Sequence, residues 1–338
     1  MLGVGIIGFG RIGKEHAGWI SNTSSARVAA VFDPTPARRQ IAADLGYRLH
    51  ESLDALLSDP TIEAVLVSTP TAMHFADASR AIAAGKHVMV EKPIGLDAIE
   101  GQKLHDQALA AGRVLSVFHC RRWDIDFLTV KKAVDTGVFG KLINVESRLG
   151  QWSSCVGPAA REYRPNWRNE KSFGGGGLYD WGSHFVDQLH LLLAPAKPVR
   201  VFAQLTANVW SQDCDDFARV VIDFDNGCSA LCEINTTTTR PLPRWHLDGT
   251  LGSGEAPFSL VFDTHEWAKL TFTSADGATR QIPSAAKGLN ESQIWDQFAN
   301  ACRGDGEPAV NVPSVLLTMR LLDAARQSAA EGRAITLT

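Results

Sequence analysis

Across the first 120 residues, short apolar runs alternate with segments whose apolar residues recur at helical spacing. Val4–Gly8, Val28–Phe32, Ala64–Ser68, Val88–Glu91 and Val114–Phe118 are apolar nearly throughout, as strands covered on both faces are. Between them, Ile12–Ile20, Pro36–Leu45, Ser52–Leu57, Phe75–Ala84 and Ala98–Ala111 read as helices. The punctuation agrees: Pro36 suits a first helical turn, Ser52 can cap one, and Gly46, Gly85 and Gly112 stand where helices end. Such alternation predicts a parallel sheet with helices on both faces.

Beyond a helical stretch at Phe127–Asp135 the texture changes to longer alternating strands, at Leu142–Leu149, Val199–Leu205, Arg219–Phe224, Ser229–Asn235 and Phe258–Phe262. Asp225-Asn226-Gly227 joins two of them and predicts a hairpin, because Asn and Gly accept the positive φ of a tight turn. Leu178–Leu193 reads as an apolar helix. This half is expected to be α+β, joined closely to the first, since no repeat or long linker separates them.

Length supports two domains, because 338 residues exceed what one core usually holds. A net charge of -4 gives no grip on a polyanion, so nucleic acid is not an expected partner. The opening MLGVGIIGFG lacks the layout of a signal peptide, and no apolar run approaches the ~20 residues that cross a bilayer. Six cysteines without a C-x-x-C pair read as reduced thiols. Cys228 and Cys232 lie about 13 Å apart along a strand, too far for one metal. A cytoplasmic enzyme that uses no metal and touches no membrane is expected.

Gly8-Phe9-Gly10-Arg11-Ile12-Gly13 follows the first strand and opens the first helix, the context in which G-x-G-x-x-G signifies a dinucleotide. The first glycine permits the turn, the second admits the pyrophosphate, and the third brings helix close to strand. Asp33 ends the second strand 20 residues after Gly13, where a carboxylate binds the ribose 2′-hydroxyl and favours NAD. Arg38 and Arg39 soften that preference, leaving NADP open. The plainer reading is a tight turn with Asp33 as a helix cap.

From these residues onward the chain resembles the glucose-fructose oxidoreductase and inositol dehydrogenase family (Gfo/Idh/MocA). The marks are GFGRIG at Gly8–Gly13, VSTPTAMH at Val67–His74, GKHVMVEKP at Gly85–Pro93 and GGGGLYDWGSHFVDQ at Gly174–Gln188. FHCRRWDIDFLT at Phe118–Thr129 is similar to the scyllo-inositol dehydrogenase subgroup, whose members often use NADP. The resemblance implies a Rossmann domain at residues 1–121. It also implies a substrate domain at residues 122–338 with a large, mostly antiparallel open sheet, whose outer face builds homodimers or homotetramers. It implies cofactor contacts at Ser68, Thr69, Pro70, His74 and Glu91 and a sugar site lined by Trp167 and Arg168, while Arg121 and Arg122, a pair suited to hydroxyl or carboxylate recognition, are expected to reach the same cleft. Taken alone, the arginine pair also reads as a solvated face, Trp167 as a core residue and His74 as a water-facing helix start.

Lys92 follows the fourth strand at the edge of the sheet where doubly wound folds bind ligands, and an ammonium there can stabilise alkoxide character. Family resemblance makes Lys92 catalytic and the peptide before Pro93 cis. Asp180 and His184 stand one helical turn apart; without the resemblance they also read as a metal pair or a buried polar pair. The expected chemistry is hydride transfer, with His184 as proton acceptor, Lys92 polarising the substrate oxygen and Asp180 supporting both. A redox-neutral lyase or glycosidase using NAD transiently, and a nucleotide sensor without turnover, are the rivals.

Overall fold

The computed structural model describes residues 1–155, 167–259 and 262–337. The first half alternates as its pattern requires: β1 (Leu2–Ile7), α1 (Arg11–Ser21), β2 (Ala26–Phe32), α2 (Pro36–Asp44), α3 (Leu53–Ser58), β3 (Ala64–Val67), α4 (Thr71–Ala83), β4 (His87–Val90), α5 (Ala98–Ala110) and β5 (Leu115–Val117). All five strands are parallel, in the order β2-β1-β3-β4-β5. The order turns at β1, so the crevice beyond its carboxyl end is where ligand is expected. Pro36 opens α2, and the Ser52 hydroxyl accepts the amide of Ala55 at the start of α3. Gly46, Gly85 and Gly112 all take positive φ after their helices.

The second half runs α6 (Ile125–Asp135), β6 (Leu142–Gly150), α7 (Ser183–Leu193), β7 (Pro198–Thr206), β8 (Phe217–Phe224), β9 (Ser229–Asn235), β10 (Trp245–Gly249), β11 (Gly252–Ala256), α8 (Thr264–Trp267), β12 (Thr271–Ser274), β13 (Thr279–Gln281), α9 (Glu291–Cys302), α10 (Pro313–Glu331) and β14 (Ile335–Thr336). Its nine strands are ordered β13-β12-β11-β10-β6-β9-β8-β7-β14, antiparallel except for β6 against β9. The β8–β9 hairpin turns at Gly227 with φ +84. The strand expected at Phe258–Phe262 is absent at its described positions, while positions 260 and 261 lie outside the described residues. Pro257, lacking an N–H for the ladder, ends the pairing right after β11.

One face of this sheet is buried: Val145, Ala203, Val220, Ala230 and Trp245 all point inward, with α7 and α10 packed against strands of the sheet. α9, although it follows the second sheet, returns to α1 and β2, burying Trp295 and Phe298 in the same core as Val4, Ile6 and Ile20. Among the described residues, no helix is long and apolar enough to cross a membrane.

Candidate active site

The glycine turn between β1 and α1 is built by close approach. A Cβ on Gly13 would stand 2.1 Å from the Gly8 carbonyl oxygen, and one on Gly8 would meet the Ser68 carbonyl at 2.9 Å with φ at +91. Over Gly10 the space is open, with only the Arg38 guanidinium near among the described residues, at 3.8 Å. Gly10 is also the N-cap of α1 and supplies no side-chain acceptor, so the first amides of the helix face that opening. An opening of this shape fits a pyrophosphate. A groove of about 320 Å³ runs from it, lined by Phe9, Arg11, Ile12, Arg38, Ser68, Thr69, Pro70, His74, Glu91 and Lys92.

Three of the expected cofactor residues are less available than the sequence suggested. Asp33 is fully buried and does not line the groove; its carboxylate accepts the amides of Phe9 at 2.7 Å and Thr35 at 2.8 Å. Arg38 stands between it and the groove, 3.7 Å from Asp33 Oδ2. His74 lines the groove, but both ring nitrogens meet carbonyls, Pro93 O and Thr69 O, each at 2.8 Å. It ties the loop after β3 to the Lys92–Pro93 turn. Glu91 is buried too, with its carboxylate directed into the protein.

The Lys92–Pro93 peptide is cis, and Lys92 Nζ donates to Asp180 O at 2.8 Å and Asp180 Oδ1 at 3.0 Å. Arg168 Nε approaches the same Oδ1 at 3.4 Å. Burial pushes the Asp180 carboxyl up, but the charges of Lys92 and then Arg168 outweigh it and hold it at about 2. His184 sits on the first turn of α7, reached through a π-helical turn at Leu178–Gly182 rather than the continuous α-helix expected, a feature common at functional sites. Its Nδ1 is buried without a hydrogen-bond partner among the described residues. Burial, then the charges of Lys92 and Arg121, pull its pKa well below the usual imidazole value. Lys92, Asp180 and His184 line one cavity of about 480 Å³, which shares Lys92, Glu91, Asp180 and Arg168 with the groove.

The two neighbouring arginines part company. Arg121 enters the cavity, lying over the rings of Trp181 at 4.8 Å and Phe262 at 4.1 Å and pairing with Asp124 at 3.0 Å. Arg122 does not reach it: the guanidinium grips both oxygens of Asp187, at 2.8 and 2.7 Å, and bonds Ser314 as well. Expected at the substrate, its guanidinium instead holds an ion pair to a buried carboxylate. Trp167 and Arg168 line the groove, with the guanidinium 4.4 Å from the indole. Gly175 lets this turn close, since a Cβ there would stand 2.5 Å from the Arg168 carbonyl oxygen.

Sequence reasoning passed over Asp187 and His119. Asp187 also accepts from Thr318 Oγ1 at 2.8 Å, and His119 Nδ1 lies 3.8 Å from it. The His119 ring meets His184 edge-on at 5.5 Å, and neither of its nitrogens has a hydrogen-bond partner among the described residues. The available signal was a carboxylate three residues after His184 in a largely apolar helix.

Two family models match the chain. One, described as an oxidoreductase family with an NAD-binding Rossmann fold, matches residues 2–119; the other, described as the GFO/IDH/MocA C-terminal domain, matches residues 127–255. The scyllo-inositol 2-dehydrogenase (NADP(+)) of Bacillus subtilis is 29% identical over 359 residues, covering 99% of this chain and 95% of that one. The scyllo-inositol 2-dehydrogenase (NAD(+)) of the same organism is 26% identical, covering 98% and 95%. The crystal structure of an NAD-binding protein from Listeria innocua is similar with a TM-score of 0.88 at 30% identity, covering 99% of this chain and 96% of that one.

Proposed function

The chain belongs to the Gfo/Idh/MocA family of oxidoreductases, and from that premise we propose that it moves a hydride between a nicotinamide dinucleotide and a secondary alcohol of a neutral sugar or cyclic polyol, inositols included. The observation that carries this reading is the meeting of Lys92, Asp180 and His184 in one cavity at the end of the dinucleotide groove. Ionised Asp180 takes two of the three N–H bonds of the Lys92 ammonium, leaving one for a substrate oxygen. His184, neutral at pH 7 because burial and its cationic neighbours disfavour a second proton, accepts the hydroxyl proton as the C–H hydride departs and a carbonyl forms. When bound, the nicotinamide supplies the two-electron acceptor.

A neutral substrate follows from the cavity walls. Among the described residues, Arg11, Lys92, Arg121 and Arg168 in the cavity walls are each paired with a carboxylate of the protein, Glu15, Asp180, Asp124 and Asp180 in turn, so these cations are already engaged without a sugar acid. Trp181 and Phe262, with Arg121 lying over them, form an aromatic wall of the cavity suited to a sugar ring. At the other end of the groove Arg38, not Asp33, is presented, which supports acceptance of NADP as well as NAD. The open face of the second sheet carries Phe202, Val221 and Leu231 in adjacent registers and is the surface we assign to a homodimer or homotetramer.

The test offers inositols, aldoses and sugar acids with each cofactor and follows absorbance of the reduced nicotinamide. Oxidation of a neutral polyol, abolished in both Lys92→Ala and His184→Ala, is the expected result. If both variants keep near-normal turnover, the assignment fails; if substrate is consumed with no net reduced cofactor, the reaction is redox-neutral instead.

A further inference from the structure

Behind Lys92 lies a chain of buried groups from three distant segments. Trp295 on α9 donates its indole N–H to His16 Nδ1 at 3.0 Å. His16 Nε2 meets Glu91 Oε1 at 2.8 Å, and Glu91 Oε2 accepts the amide of Lys92 at 3.0 Å. Trp295 and His16 are completely buried, and the imidazole is enclosed edge-on by Trp19 and Phe118 as well. An indole N–H can only donate, so His16 Nδ1 must carry a lone pair and the ring proton must sit on Nε2, directed at Glu91. Both oxygens of a buried carboxylate are thereby fixed, one by the imidazole and one by the main chain that carries the lysine.

We infer that Trp295, His16 and Glu91 form a positioning brace, in which the indole sets the imidazole tautomer and Glu91 aims Lys92 at the substrate oxygen. The brace rests on the catalytic reading of Lys92. Trp295 and His16 line neither the groove nor the cavity, and Glu91, which lines both, has its carboxylate oxygens bonded to His16 and the Lys92 amide; the three act through the peptide between Glu91 and Lys92. It also gives α9 a purpose: the helix returns from the second half of the chain to the core beneath the glycine turn and delivers the one donor that selects the tautomer.

The experiment compares kcat, KM and thermal midpoint for His16→Leu, His16→Gln, Trp295→Phe and Lys92→Ala, with ¹⁵N spectra reporting the His16 tautomer. The side-chain amide of Gln can still donate toward Glu91. In wild type the proton is expected on Nε2. His16→Leu should lower kcat about 10- to 100-fold, as loss of an outer partner of an active group typically does, with KM within about threefold. His16→Gln should restore most of it. Trp295→Phe keeps the packing, loses only the N–H, and should give mixed tautomers with a smaller fall in kcat. An Nδ1-protonated His16, unchanged kcat in folded His16→Leu and Trp295→Phe, or a folded Gln variant that restores nothing overturns the brace. Should His16→Leu not fold, Trp295→Phe and the tautomer decide. Turnover lost in Lys92→Ala but kept in the brace variants refutes the brace alone, whereas turnover kept in Lys92→Ala refutes the role of Lys92 itself.

Discussion

Removing Arg122 should unsettle the fold, and removing Arg121 should unsettle the substrate. Asp187 is almost completely buried, and Arg122 supplies two of its hydrogen bonds and the only arginine in contact with it among the described residues. In Arg122→Leu the carboxylate keeps Thr318 and the nearby His119 and His190 but loses its cation, and stranding a buried charge in this way costs about 3–5 kcal/mol. Unfolding entropy of ~2.1 cal/mol/K per residue amounts to ~0.7 kcal/mol/K over 338 residues, so the thermal midpoint should fall by ~4–7 °C. Arg121→Leu loses a partly exposed pair with Asp124, worth about 1 kcal/mol or less, and two cation–π contacts worth about 0.5–1 kcal/mol each, and should shift the midpoint by no more than ~3–4 °C. Its effect should appear in kinetics, as a KM for the alcohol raised about tenfold, while Arg122→Leu assayed well below its midpoint keeps KM within about threefold. Differential scanning fluorimetry and steady-state kinetics read the two axes. The reverse pattern, a stable Arg122→Leu with raised KM beside an unstable Arg121→Leu with normal KM, would refute the division of labour.

Gly13→Ala should cost stability and at least tenfold in dinucleotide affinity by calorimetry, because its Cβ would meet the Gly8 carbonyl at 2.1 Å and force α1 away from β1; unchanged binding would contradict the turn geometry. Arg38→Ala should raise KM for NADP more than KM for NAD, and equal changes would remove Arg38 from the adenosine end. His119 is pulled to about 4 by burial, with Asp187 opposing and Arg122 assisting, against 6.5 for the ordinary side chain. The unfolded chain therefore binds more protons between about pH 6.5 and 4, and stability should fall as pH drops through that window. Urea midpoints at pH 7 and pH 5 should lie closer together in His119→Phe than in wild type; an unaltered gap would mean that His119 is already protonated when folded.

The first sheet was legible because its strands are buried on both faces and announce themselves as solid apolar runs, with helix caps at the expected residues. β11 was not, since Gly252-Ser253-Gly254 has no strand propensity; it pairs because β10 and β12 flank it, and a Cβ on Gly254 would press into Phe139. α9 was not anticipated either, and even its pattern of buried Ile294, Trp295 and Phe298 states only that the helix has an apolar face, not that this face returns to the core of the first sheet.

Among site residues the same distinction holds between chemistry and accessibility. Lys92, Asp180 and His184 were named from motifs, and the fold brings those motifs together at one cavity. Asp33, His74 and Arg122 carry equally suitable chemistry, yet each spends hydrogen bonds within the protein, Asp33 on backbone amides, His74 on carbonyls and Arg122 on a buried carboxylate. A residue's capacity to bind a ligand is what remains after its neighbours have been satisfied, and those neighbours lie far away in sequence: 65 residues separate Arg122 from Asp187, and 88 separate Lys92 from Asp180. Arg121 and Arg122 make the point most sharply. Adjacent and chemically identical, they diverge because one turns toward aromatic rings at the cavity wall and the other toward a carboxylate with no other arginine or lysine partner among the described residues, so the three-dimensional partners decide which of them a substrate can meet.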